Sequence, residues 1–109
     1  MPSSKEYLGF VLEQLSDLVG ITYKSMMGAF LIYYRNKLVG GIYNDRFLVK
    51  PVKSAMEYMP QAVYCLPYKG AKEMLLVDNV DDKEYLCGLF EVIYDDLPMP
   101  KDKKSQISI

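Results

Sequence analysis

Residues 29–34 read Ala-Phe-Leu-Ile-Tyr-Tyr, and they are apolar on both alternations of an extended chain. Phe30, Ile32 and Tyr34 share one side, and Ala29, Leu31 and Tyr33 share the other, because successive strand side chains point to opposite faces. The next extended segment repeats the pattern, with Leu38 and Ile42 against Val39 and Tyr43. A sheet with one wet face should instead alternate apolar with polar residues. Helices can cover only one of the two faces. The second requires a partner, another copy of the chain or a ligand, unless its tyrosines sit at the surface with their hydroxyls in water.

Around this segment the punctuation is regular. Ile21–Met26, Ala29–Tyr34, Leu38–Tyr43 and Phe47–Lys50 read as four short strands of an antiparallel meander, separated by Gly28, by Arg35-Asn36-Lys37 and by Asn44-Asp45-Arg46. Ahead of them, Ser3 and Glu6 have the spacing of a capping box, and Leu8, Val11, Leu12, Leu15 and Leu18 recur at helical intervals, predicting a helix over 4–18 that Gly20 ends. Pro51 breaks the meander, and Ser54–Met59 suits a short helix closed by Pro60. Val63–Tyr68 and Glu73–Val77 read as two more strands around the Lys-Gly-Ala-Lys turn at 69–72, with Pro67 suited only to an edge. Asp81 and Asp82 place negative charge at a helix start, and Leu86, Leu89, Phe90 and Ile93 mark the buried stripe of a last helix over 82–95.

The predicted order is α, three to four strands, α, two strands, α. That is an α+β class: a two-layer domain with an antiparallel sheet and helices on one face. At 109 residues the chain suits a single domain, expected over 1–96, with 97–109 as a flexible tail. Cys65 and Cys87 lie far apart without a paired motif and are expected as reduced core thiols. The N-terminus lacks the pattern of a signal peptide, and no apolar run approaches the ~20 residues that cross a bilayer. A cytoplasmic protein without membrane contact is expected.

The net charge of −1 conceals segregation. Residues 24–72 carry eight basic side chains against Asp45 and Glu57, a net +6, whereas 73–96 carry eight acidic ones against Lys83, a net −7. The halves either complement each other within the fold or present a dipolar surface to a charged partner.

Chemistry is constrained by the absence of histidine. This removes the commonest general base, the Ser-His and Cys-His arrangements and most zinc sites, since two separated cysteines supply too few ligands. Val-Asp-Asn-Val-Asp-Asp at 77–82 lacks the glycine and terminal glutamate of a calcium loop, so helix capping is its expected role. Gly40-Gly41 lacks the lysine and helix start of a phosphate loop and is expected to mark a bulge or close backbone packing. Gly28 is either a positive-φ turn position or a place where another backbone or a ligand comes close. No catalytic residue, cofactor or metal is assigned.

The stretch Tyr23-Lys24-Ser25-Met26-Met27-Gly28 resembles the Y-[RK]-x-M-F-G segment of the TfoX/Sxy family's N-terminal domain, with Met27 in place of the aromatic. Asp45–Lys50 is similar to that family's D-x-L-Y-L-K strand, and Pro67-Tyr68 to its proline-aromatic strand. The resemblance covers about residues 4–95. It implies a two-layer α+β domain acting as a regulatory or interaction module associated with bacterial competence and transcription regulation. It carries no catalytic residues over. The expected function is therefore non-enzymatic regulation or protein interaction, with a small-ligand or nucleic-acid-contacting domain as the alternative. Met26, Met27, Gly28, Tyr33, Arg35, Tyr43 and Arg46 form the candidate interaction surface. Its expected partner is another protein or a second copy in a homodimer, and nucleic acid is not the main partner.

Overall fold

Three two-residue turns shape the sheet. Met27–Gly28, Arg35–Asn36 and Asn44–Asp45 all have positive φ at both residues, between 50° and 84°. Positive φ at both central positions characterises the type I′ turn, whose twist matches the strands on either side. The computed structural model describes residues 5–98. In it the turns join β1 (Ile21–Met26), β2 (Ala29–Tyr34), β3 (Lys37–Tyr43) and β4 (Arg46–Val49) into the expected meander, each boundary within one residue of its sequence reading.

Two further strands extend the sheet on the β4 side. The order is β1-β2-β3-β4-β6-β5, with every neighbouring pair antiparallel. β5 (Tyr64–Cys65) and β6 (Met74–Leu76) are shorter than the sequence suggests. Pro67 cannot donate to a ladder, and the chain leaves the sheet at Leu66, so 66–73 is a loop and not the end of a strand.

Three helices pack on one face. α1 (Lys5–Gln14) stops short of the expected residue 18. There the Leu15 N–H is shared between the Val11 and Leu12 carbonyls and Leu18 bonds back to Leu15, which tightens the chain out of helical register. The capping serine expected at position 3 lies outside the described residues. α2 (Lys53–Tyr58) precedes Pro60 as expected. α3 (Lys83–Ile93) continues into a 3₁₀ turn, Tyr94–Asp96. Asp82 caps α3, its side chain accepting a hydrogen bond from the Tyr85 N–H at 3.1 Å.

The helix face of the sheet supplies Phe30, Ile32, Tyr34, Val39, Ile42, Phe47, Val49 and Leu75 to one core with Leu8, Val11 and Leu15 of the α1 region. Leu86, Leu89, Phe90 and Ile93 of α3 are fully buried there, as their spacing predicts. Each such side chain contributes roughly 1.5–3 kcal/mol. Phe90 anchors the aromatic contacts, 6.0 Å from both Tyr34 and Phe47. Leu97 is also part of this core, so the fold runs one residue past its expected end. Most of the expected tail, 99–109, lies outside the described residues. Cys65 and Cys87 are free but half-buried, and thus not the core thiols expected. Among the described residues no helix is long and apolar enough to cross a membrane.

Gly40 and Gly41 serve both roles expected of them. The β2–β3 register shifts between Ile32 and Tyr33, a bulge that inserts Val39 into the core. β4 then passes so close that a Cβ on residue 40 would lie 2.0 Å from the Leu48 carbonyl oxygen and 2.7 Å from the Val49 Cα. Backbone cannot retreat as a side chain can. Gly40→Ala is therefore expected to cost about 3 kcal/mol, the upper end of overpacking effects, in urea unfolding. A loss below about 0.5 kcal/mol would show that β3 and β4 do not approach so closely.

Candidate functional site

The face turned away from the helices carries Lys24 and Met26 from β1, Leu31 and Tyr33 from β2, Leu38 and Tyr43 from β3, and Arg46 and Leu48 from β4. It is not open to water along its centre. Leu48 is fully buried and Leu31 nearly so. Part of the cover comes from the chain itself. The Tyr43 ring lies on Gly41, two of its carbons 2.9 Å from where a Cβ would stand. Arg46 then ties down the loop after β5. Its Nη2 donates to the Leu66 carbonyl at 3.1 Å, and its Nε donates to the Tyr43 carbonyl at 3.2 Å. This brings Pro67, which is buried, and Tyr68 toward the sheet, the Tyr68 and Tyr43 rings 6.3 Å apart.

Between this loop and the β1–β2 turn runs a groove of about 690 Å³. The β1–β2 turn region lines it with Met26, Met27, Gly28 and Ala29, and the β3–β4 turn and the loop after β5 line it with Tyr43, Asn44, Pro67, Tyr68 and Lys69. The Met27–Gly28 and Asn44–Asp45 turns stand at the same end of the meander, which is why two segments well separated in sequence meet here. Burial pushes the Tyr43 phenol above its ordinary value, with the Tyr68 and Tyr33 phenols adding to the shift. At neutral pH Tyr43 is a neutral hydrogen-bonding group beside an amine, Lys69. The lining contains no thiol and no carboxylate.

Of the seven residues expected on an interaction surface, Met26, Met27, Gly28 and Tyr43 line the groove. Arg46 ties down the loop after β5 that lines it, and Tyr33 is half-buried beside Tyr43. Arg35 stands apart. It lies at the opposite end of the meander, with its guanidinium 5.2 Å from the Tyr34 ring centre and 5.6 Å from that of Tyr94. Lys37 joins it, its ammonium 4.3 Å over the Tyr94 ring and donating to the Tyr94 carbonyl at 3.1 Å. These two cations therefore brace the C-terminal end of the helical layer. Sequence reasoning missed Asn44 and Lys69 at the groove and placed Pro67 and Tyr68 in a strand; the proline was the signal that the chain departs there.

Met27 is the anomaly of the site. It adopts φ 51° and is 97% exposed, so a bulky side chain sits in a backbone conformation that disfavours it and buries almost nothing. The left-handed region costs an L-residue roughly 1–2 kcal/mol, and asparagine tolerates it best. Met27→Asn would create the Asn-Gly pair most favourable to this turn. The variant is expected to be more stable by about 1 kcal/mol in thermal unfolding. A destabilised variant would mean that Met27 makes contacts holding the turn.

Over 107 aligned residues the chain is 28% identical to an uncharacterized 12.7 kDa protein in the trpE 5′ region of Spirochaeta aurantia, covering 97% of this chain and 93% of that protein. No family model matches the chain, and no solved structure matches it.

Proposed function

We propose that the chain is a non-enzymatic interaction module that holds an extended segment of another protein in the groove between the Met27–Gly28 turn and the Pro67–Lys69 loop. The observation that carries this reading is the lining itself: two methionines, two tyrosines and a proline around a single amine. Methionine supplies soft, adaptable apolar contact, and tyrosine supplies rigid area with a polar tip. Lys69 in the lining favours a segment in which a carboxylate neighbours an apolar side chain. The motifs that resemble the TfoX/Sxy N-terminal domain suit the same reading, that of a regulatory module in bacterial competence or transcription acting in the cytoplasm. Nucleic acid is not the main partner in this proposal. Arg35 and Lys37 are engaged with Tyr34 and Tyr94, and Lys69 is the single cation in the groove lining.

Peptide display against the folded protein, followed by titration, tests this. Peptides pairing an apolar residue with Asp or Glu are expected to be selected, and Tyr68→Ala and Lys69→Glu should each weaken them at least about tenfold, or 1.4 kcal/mol. In parallel, nucleotides, divalent metal ions and DNA at physiological salt should leave the thermal midpoint unchanged. A ligand present at 100 times its Kd adds about 2.7 kcal/mol to the folded state. Such a shift with a nucleotide or DNA would replace the protein-docking reading with the ligand-binding one.

A further inference from the structure

The two edges of the sheet are finished differently. β5 spans two residues and is followed by Pro67, which leaves little ladder to extend. β1 spans six, pairs with β2 without a bulge, contains no proline and is exposed from Thr22 to Met26. Among the described residues no strand pairs with its outer side. Short strands, prolines and bulges are the usual protection of an edge, and β1 has only one charged residue, Lys24.

Its hydrogen-bonding pattern can be assigned. Met26 and Ala29 flank a two-residue turn and are partners across it. They form a hydrogen-bonded pair, as do Lys24 with Leu31 and Thr22 with Tyr33, because the two kinds of pair alternate along an antiparallel ladder. Ile21, Tyr23 and Ser25 consequently turn their N–H and C=O groups outward.

The side chains along this edge have a matching symmetry. Met27 is 97% exposed and Val19 is 83% exposed, the two highest values among the exposed large hydrophobics, and Tyr23 is 51% exposed midway between them. A two-fold axis through Tyr23 would oppose each Tyr23 to the partner's Tyr23 and bring the end of β1 that carries Met27 to the end of the partner's β1 that Val19 precedes. It would also set Ile21 opposite the partner's Ser25, so that all the outward backbone groups meet in bonding register. Lys24 would then face the partner's Thr22. Moving the axis to Lys24 would place two ammonium groups opposite each other.

We infer that β1 is the dimer edge of this protein, pairing antiparallel with β1 of a second copy about an axis at Tyr23 to join two sheets into one. Such a contact is self-complementary and closed, as a two-fold homodimer must be. It is separate from the docking groove except at Met26 and Met27, which stand at their shared corner.

Sedimentation of the full chain up to about 0.5 mM, a range suited to a small interface, should show reversible dimers. Ser25→Pro removes an outward N–H and no bond to β2, and is expected to give a monomer whose thermal midpoint stays close to that of the parent. Register is tested separately by disulfide trapping with both native cysteines replaced by serine. Facing residues of a hydrogen-bonded pair have Cα atoms about 5.5 Å apart, within disulfide reach. Tyr23→Cys should therefore cross-link to a dimer at least tenfold faster than Thr22→Cys. A chain monomeric across the whole range would overturn the inference, as would cross-linking faster through Tyr33→Cys on the outer face than through Tyr23→Cys. Tyr68→Ala should leave the dimer intact, so failure of the groove reading and failure of this one are distinguishable.

Discussion

The Tyr43 ring can lie on the sheet only because residue 41 has no side chain. This contact decides how the outer face is closed. With the ring down, the centre of the face is shielded, Arg46 can reach both the Tyr43 and Leu66 carbonyls, and the loop after β5 is drawn in until Tyr68 meets Tyr43. Gly40 makes the same allowance on the other side, where β4 passes against the backbone. Two adjacent glycines in a strand weaken it intrinsically. Here they let β3 be approached from both faces, and the apolar alternation that looks excessive in sequence becomes a core on one side and a self-covered face on the other.

The helical layer is conventional by comparison, and its details follow from the sheet. Phe47 and Tyr34 set where Phe90 must lie, which fixes α3. Gly88, half-buried on α3, leaves room for Tyr58, whose hydroxyl donates to the Tyr85 carbonyl at 3.0 Å and would sit 2.5 Å from any Cβ at residue 88. Asp96 closes the layer from the 3₁₀ turn. The Ser54 side chain beside it and the Ser54 backbone N–H, which donates to its Oδ2 at 3.0 Å, hold that carboxyl below its ordinary value. The acidic 73–96 segment thus places two of its charges at helix starts, Asp82 for α3 and Asp96 for α2. Arg35 and Lys37, from the basic segment, stack on aromatic rings of the same end.

Much of this was legible in the residues. The meander was readable because turn residues interrupt apolar runs at short intervals, and α3 because four large side chains recur on one helical stripe. The stop of α1 at Gln14 was not readable, since Leu15 and Leu18 keep the helical spacing while the backbone tightens into a turn that still buries Leu15. β5 failed for the opposite reason. Val63–Tyr68 has strand-like composition, but Pro67 and the Arg46 bond to Leu66 redirect the chain across the sheet. The groove inherits that limit. Met26, Met27, Gly28 and Tyr43 could be named from the meander alone, whereas Pro67–Lys69 join them only through a long-range hydrogen bond from Arg46. Arg35 lies in the β2–β3 turn at the other end of the meander and does not join them.

Closure of the outer face therefore depends on the pairing of Gly41 with Tyr43. A double-mutant cycle over Gly41→Ala and Tyr43→Ala measures it by urea unfolding. Added alone, the Gly41 methyl meets both the Tyr43 ring and the Phe30 carbonyl, 2.8 Å from the new Cβ. With the ring removed only the second clash remains. The cycle should return a coupling of about 1–2 kcal/mol, in the range found for residues in contact, with the double variant less damaged than the sum of the single ones. Additive losses within experimental error would mean that the ring does not rest on residue 41, and that the second face is closed by some other means.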